Sequence, residues 1–182
     1  MAVVLAICIA ASIWALIIYN RLVRLRIQVR TAWADIDVQL LRRHDLVPQL
    51  VAAVKAYAAH EKSVMQAVTE LRTQAVALRS PARLGEVESA LDQAIGQVLV
   101  LKEAYPELKA SENFAQLQRD LVAVEEQLQY ARRFYNGAVR DLNDAVQRVP
   151  DTLIARAFAF EPAEFFQAQE QARPAVQVEI AP

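Results

Sequence analysis

The fold is decided by residues 111–149, which read SENFAQLQRDLVAVEEQLQYARRFYNGAVRDLNDAVQRV. Steps of three and four residues through this stretch meet an unbroken series of apolar side chains: Phe114, Leu117, Leu121, Val124, Leu128, Ala131, Tyr135, Ala138, Leu142, Ala145 and Val149. A repeat of 3.5 residues places all of them on one helix face. The stretch therefore predicts a helix of about 38 residues that opens at Ser111, is roughly 57 Å long and needs partners along its length.

Two upstream blocks repeat this spacing. Residues 47–78 carry apolar side chains at the same steps, interrupted only by Glu61, and predict one helix of about 33 residues. We expect Glu61 either to pair with an arginine of another helix or to face solvent. Residues 87–105 form the second block. Its Gly96 costs about 1 kcal/mol against alanine in a helix, which suggests a close helix crossing.

The N-terminal residues 2–19 contain no charge and span about 27 Å as a helix, close to the hydrocarbon thickness of a bilayer. No basic residue precedes the run, and the helical pattern continues past it, so we expect a retained transmembrane anchor rather than a cleaved signal peptide. The first helix is expected to leave the bilayer without a break. At Asp45 and Pro48 either a new helix begins or the same helix continues with a kink.

Basic residues set the expected orientation of the anchor. Four arginines follow it before the first acid, Asp35, so the positive-inside rule places the rest of the chain in the cytoplasm. We expect a single-pass protein of the bacterial inner membrane, with its N-terminus outside. The residues expected to face lipid or its headgroups are Trp14, Tyr19, Arg21, Arg24, Arg26 and Arg30.

Three features together favour a homo-oligomer: small residues on one face of the anchor, the long uninterrupted apolar seams described above, and opposite charge at the two ends of the cytoplasmic chain. Ala2, Ala6 and Ala10 follow one another at four-residue steps, a pattern that lets two membrane helices approach closely. Residues 20–60 hold seven basic and three acidic groups, whereas residues 150–182 hold two basic and five acidic groups. The acidic tail is expected to dock on its own basic segment or on that of a neighbouring subunit, unless both remain solvated.

The sequence thus predicts an all-α protein whose transmembrane helix continues into a cytoplasmic antiparallel bundle of long helices. The expected parts are a signal anchor at residues 1–19, the bundle at residues 20–149 and a tail at residues 150–182. Within the tail we expect short helices at residues 152–159 and 164–171, and an extended end from Arg173.

Composition excludes several classes of protein. The three glycines, Gly85, Gly96 and Gly137, lie too far apart for a nucleotide-binding loop, and the single Cys8 forbids an intrachain disulfide. A net charge of −1 offers no global field for nucleic acid. We expect no cofactor and no small-molecule substrate.

No constellation of residues predicts catalysis or metal binding. His44 and His60 each precede an acid, but adjacent residues on a helix do not face one another, and no second histidine follows at zinc-binding spacing. Asp35 and Asp37 project to different sides of a helix. Arg132 and Arg133 are interpreted as solvated residues or a surface patch. We therefore expect no catalytic, cofactor-binding or metal-binding residues.

Several motifs resemble the LemA family of bacterial membrane proteins. They are Tyr19-Asn20-x-Leu22-Val23, Ala32-Trp33-x-Asp35-Ile36-Asp37-Val38-Gln39-Leu40, Arg42-Arg43-His44-Asp45-Leu46-Val47-Pro48, Ala58-x-His60-Glu61, Glu103-Ala104-Tyr105-Pro106, Glu112-Asn113-Phe114, Ala131-Arg132-Arg133-Phe134-Tyr135-Asn136 and Phe160-x-Pro162-x-x-Phe165-Phe166. The resemblance covers nearly the whole chain. It implies an anchored cytoplasmic helical bundle without enzymatic activity, and relatives are associated with membrane organisation, including magnetosome membranes, and with membrane proteases.

The resemblance favours a membrane-anchored scaffold that self-assembles and organises or remodels the bilayer. The alternative is an adaptor that presents its bundle to a membrane protease or sensor kinase. A third hypothesis is a hydrolase that uses His44 or His60. The expected partners are the lipid bilayer, further copies of the chain and, for the adaptor, a membrane protein.

Overall fold

The protein is described by a computed structural model that covers residues 1–78 and 80–166, and the regular elements of this part of the chain are all helical. The all-α prediction is therefore confirmed. A 3-10 turn at Leu101–Glu103 joins two of the helices. The helices are α1 (Ala2–Lys55), α2 (Lys62–Ala77), α3 (Pro81–Val100), α4 (Pro106–Lys109), α5 (Glu112–Gln147) and α6 (Asp151–Ala157).

Helix α1 is continuous over 54 residues, or about 81 Å. Its N-terminal apolar part is exposed and is long and apolar enough to cross a membrane. The first buried residue is Ile18. Because α1 is continuous, the expected boundary between residues 19 and 20 lies inside one helix. The helix also continues through Pro48, which has no N–H to donate to the carbonyl of His44. Arg72 of α2 replaces that donor, with its Nε 2.7 Å from the His44 oxygen.

The prediction of one helix over residues 47–78 is wrong. The chain reverses at residues 56–61, where Ala58 is buried and the N–H of Glu61 donates to its carbonyl. Glu61 lies at the N-cap of α2, and its carboxylate accepts a hydrogen bond from the Tyr105 hydroxyl at 3.2 Å, not from an arginine. The apolar spacing passes through this turn because both flanking helices bury their stripes in one core.

Helix α5 packs antiparallel against the part of α1 that follows the exposed apolar segment. Trp33 lies against Tyr135 with ring centroids 5.3 Å apart, and ten residues later Arg43 approaches Glu125. The α2–α3 hairpin covers only the part of this pair that is distant from the anchor. The part nearer the exposed apolar segment is covered instead by α6 and the residues that follow it.

Helix α5 begins as predicted, because the Ser111 side chain accepts a hydrogen bond from the Phe114 N–H at 3.4 Å. Its apolar face is buried from Phe114 to Ala145. At the heptad position of Ala131 the pattern is irregular, because Ala131 is only half-buried and the neighbouring Arg132 is buried. Val149 was expected on this face but is 75% exposed, because α5 ends at Gln147.

Helix α6 ends in a left-handed turn. Ala159 has φ 52°, and the N–H of Phe160 donates to the carbonyl of Ala155 at 2.9 Å, as in a Schellman motif. The predicted helix over residues 164–171 does not begin within the described residues, since residues 164–166 are not helical. Residues 167–171 and the extended end expected from Arg173 lie outside the described part.

Candidate functional site

Residues 158–166 form a C-terminal strap that runs back along α5. The Asn143 side chain pairs with the backbone of Ala163, donating to its carbonyl at 3.0 Å and accepting from its N–H at 2.8 Å. Asn136 pairs with Phe166 in the same way, at 3.1 and 2.9 Å. Each asparagine amide thus replaces the backbone of a neighbouring strand, which satisfies polar groups of the strap that would otherwise need water.

Helical spacing makes this clamp possible. Asn136 and Asn143 are seven residues apart, so they lie two turns from each other on one face of α5. Between them the strap is held by Tyr135, whose hydroxyl donates to the Glu164 carbonyl at 2.8 Å. Burial, together with the nearby Glu164 carboxylate, raises the pKa of Tyr135 above its ordinary value.

The end of the strap nearer the exposed apolar segment covers residues that were expected to face lipid. Tyr19 contacts the rings of Phe158 and Phe160 with centroids 4.9 and 5.8 Å away. The Arg26 guanidinium lies 4.7 Å from the Phe160 ring centre. These two residues therefore contact protein at the point where α1 leaves the exposed anchor.

Arg21 also contacts protein, because its Nη1 lies 2.8 Å from the Asp151 carboxylate at the start of α6. The remaining residues expected to contact lipid or another subunit are exposed in the monomer, so the expectation for them stays a prediction: Trp14, Arg24, Arg30, Ala2, Ala6 and Ala10.

The described part of the tail docks on its own chain, which is one of the outcomes expected from its charge. Among the described residues, the pair of Arg21 and Asp151 is the one ion pair of the tail. Its other contacts are ring–ring and cation–ring contacts and hydrogen bonds from amide and hydroxyl side chains. Charge counting therefore identified the partner segment but missed Asn136 and Asn143. The signal in the sequence was two asparagines at heptad spacing on a helix, where asparagine has low propensity.

A buried ionic cluster joins three helices, on the side of the strap that is away from the anchor. Arg43 of α1 contacts Glu88 of α3, with Nη1 and Oε2 3.1 Å apart, and also bonds Asp92 one turn later. On α5, Glu125 lies 3.6 Å from both Arg43 and Arg132. Arg132, expected on the surface, is buried with its guanidinium 5.0 Å from the ring centre of Phe166, the last residue of the strap.

Burial dominates the electrostatics of this cluster. It lowers the pKa of the Arg43 guanidinium more than the carboxylates of Glu88 and Glu125 raise it. Burial lowers the pKa of Arg132 for the same reason, against Glu125 and Glu88. Both guanidinium groups remain charged at neutral pH because arginine starts from so high a value. The cluster therefore fixes the relative positions of α1, α3 and α5 through charges that must stay paired.

His44 belongs to the same cluster, which sequence reasoning missed. Its Nε2 lies 2.7 Å from Oε1 of Glu88, and both side chains are buried. A carboxylate beside an imidazole is the arrangement that orients a catalytic base. Here the same carboxylate also binds Arg43, and the pair is closed to solvent. The pair therefore joins α1 to α3 and is not open to a substrate, while His60, the other candidate, is exposed.

The sequence suggested that Gly96 marks a close helix crossing, but the structure shows no close contact there. A Cβ added there meets nothing within 4 Å, because Gly96 lines a cleft of about 180 Å³ between Asp92 and Glu125. Such a volume is below the usual range for small-molecule sites. Within residues 1–78 and 80–166, no three His, Cys, Asp or Glu side chains are grouped to hold a metal ion.

Comparison with known proteins finds relatives along most of the chain. Two relatives from Paramagnetospirillum magneticum, the magnetosome proteins MamQ 1 and MamQ 2, are each 23% identical over 178 residues, covering 82% of this chain and 64% of their own. Magnetosome protein MamQ of Magnetospirillum gryphiswaldense is 20% identical, with 81% and 64% covered. The chain thus spans less than two thirds of the length of these relatives.

The family comparison covers most of the architecture described above. The model of the LemA family matches residues 32–180, a range that includes the buried cluster, all of α2 to α6 and the C-terminal strap. On the extent of this match, the chain belongs to the LemA family.

Proposed function

We propose that this protein is a membrane-anchored scaffold that self-assembles and thereby organises or remodels the bacterial inner membrane. The observation that carries the proposal is the continuity of α1, which runs without a break from the exposed apolar segment to Lys55. The first third of this helix is the anchor, and the rest is part of the bundle. A force on the bundle is therefore transmitted to the anchor through an uninterrupted ladder of backbone hydrogen bonds.

The strap supports this mechanical role. It packs on Tyr19 and Arg26, at the level where α1 leaves the membrane segment, and so stiffens α1 where a single helix would bend most easily. At its other end Phe166 lies against Trp33 and Arg132. The strap thus connects the base of the bundle to its buried cluster.

The relatives support a role at a membrane, since they are named as magnetosome proteins. The four arginines after the anchor support a cytoplasmic bundle. To test this orientation, Gln127, which is exposed on α5, is replaced by Cys in a Cys8→Ala background. An impermeant maleimide should label it only after the inner membrane is opened. Labelling in intact spheroplasts would reverse the topology.

The scaffold itself is tested with the full chain reconstituted into vesicles that contain anionic lipid. We expect light scattering in mild detergent to show oligomers, and electron microscopy to show clustered protein and deformed vesicles. A control variant carries six Gly and Ser residues between Asn20 and Arg21. It should still insert and assemble but should no longer deform vesicles, because the linker uncouples bundle from anchor.

A protein that stays monomeric at all concentrations and leaves the vesicles unchanged would contradict the scaffold. Co-purification of that monomer with one membrane protein at a fixed ratio would indicate the adaptor instead.

A further inference from the structure

Helix α1 carries a second apolar stripe on the side away from the core. Ile27 and Leu41 are 55% and 62% exposed, and Ile27 lies about 180° around the helix from the fully buried Ile36. Between them the steps alternate by four and three residues, and each member is exposed: Ile27, Thr31, Ala34, Val38 and Leu41. We name these five residues the outer stripe. The described part of the chain does not cover these residues. Their 3.5-residue repeat is the pattern of a helix that pairs with another helix.

The outer stripe is in register with the membrane anchor. The same alternating steps, continued toward the N-terminus, reach Ile17, Ile13, Ala10 and Ala6. Two polar residues, Asn20 and Arg24, interrupt the register at the membrane surface. There the long Arg24 side chain can direct its charge to anionic headgroups rather than to a facing helix. One face of α1 is therefore available for pairing both inside and outside the bilayer.

The charges beside the outer stripe select the partner. Thr31 and Val38 occupy the first position of successive heptads along the outer stripe. In a parallel pair of helices, the residue just before such a position lies beside the residue five places later on the other helix. Arg30 of one chain would meet Asp35 of the second, and by symmetry the contact occurs twice. Both side chains are exposed. One heptad later, Asp37 and Arg42 occupy the equivalent positions, so the positions that flank the outer stripe bring no like charges together.

We infer that the outer stripe is a parallel homodimer interface, in which α1 packs against α1 of a second copy and Arg30 pairs with Asp35 across it. Two anchors in one membrane impose the parallel orientation that this charge pattern requires. The core face of α1 is already occupied by α5 and the α2–α3 hairpin, so both sides of the helix are used. This interface rests on the proposed self-assembly and names the surface that would produce it.

Cysteine crosslinking of the full chain in membranes tests the geometry. Ala34→Cys, in the Cys8→Ala background, places a thiol in the middle of the outer stripe. Gln127→Cys, at a position on α5 that is also exposed, is the matched control. Under mild oxidation we expect a disulfide-linked dimer at position 34 and little at position 127. Equal dimer at both positions, or none at position 34, would overturn the interface.

Charge exchange tests the pairing. Arg30→Asp or Asp35→Arg alone should lower crosslinking at position 34 about fivefold, since two exposed pairs change from attraction to repulsion. The double variant should restore it. If the single variants crosslink normally, or the double variant does not recover, the pairing is wrong.

Light scattering of the uncrosslinked full chain in mild detergent separates this inference from the proposed function. An oligomer without crosslinking at position 34 would remove the interface but leave self-assembly standing, whereas a monomer without crosslinking would remove both.

Discussion

At the scale of single residues, Glu88 receives hydrogen bonds from two side chains of α1, Arg43 and His44, while its own side chain is fully buried. Glu88→Ala leaves a buried guanidinium and a buried imidazole with fewer partners, so we expect a loss of about 3 kcal/mol in the free energy of unfolding. Glu86→Ala, on the exposed side of the same helix, should change it by less than about 0.5 kcal/mol. Denaturant titration followed by circular dichroism in mild detergent measures both, and equal effects would mean that the cluster does not hold the bundle.

The two histidines are expected to differ. His44→Ala removes the partner of a buried carboxylate and should cost about 1–3 kcal/mol. His60 is exposed, and His60→Ala should stay within about 0.5 kcal/mol. The same titration measures the pair. If His44→Ala is as stable as the unmodified protein, the hydrogen bond to Glu88 is of no consequence for the fold.

Tyr135 should make the protein sensitive to alkali. Its pKa is raised in the folded protein, so the unfolded chain loses the hydroxyl proton first, and the stabilising contribution falls as the pH rises above about 10. Tyr135→Phe removes the hydrogen bond to the strap and should cost about 1 kcal/mol at neutral pH. The difference in unfolding free energy between this variant and the unmodified protein, measured as a function of pH, should shrink at alkaline pH. A difference that is constant with pH would contradict this.

At the scale of elements, the end of α6 is held by a residue that is poorly suited to its backbone. Ala159 adopts φ 52°, where a Cβ is unfavourable and glycine is not. We expect Ala159→Gly to stabilise the protein by about 1 kcal/mol, seen as a higher midpoint of thermal unfolding. Ala157→Gly, at the last residue of α6, is the control and should destabilise it by about 0.5 kcal/mol. Shifts of the same sign would show that the turn is not the cause.

Elements were predictable wherever one local pattern decided them. The start of α5 at Ser111 and its buried face follow from a capping residue and a heptad repeat. The turn at residues 56–61 was not predictable in this way, because it keeps the apolar spacing on both sides and contains no proline or glycine. Glu61 was the visible irregularity, and only its hydrogen bond to Tyr105 shows that it marks a reversal of the chain.

At the scale of the whole molecule, the exposed apolar part of α1 should decide where the protein is found. We expect the full chain to fractionate with membranes and to resist carbonate extraction, since about 18 uncharged residues cannot be hydrated cheaply. Replacing Leu5, Ile9 and Ile13 by Lys should release it, because three charges raise the cost of insertion by several kcal/mol. Recovery of the unmodified chain in the soluble fraction would contradict the anchor.

The amino-acid sequence by itself determined the helical class, the apolar anchor, the long α5 and the family, because each depends on residues that are near one another in the chain. Only the tertiary structure decided which polar residues meet. Arg43 and Glu88 are 45 residues apart, and Asn136 and Phe166 are 30 apart. No periodicity encodes such pairs: their energy appears only after the apolar faces have packed and removed water from the charges and backbone groups between them.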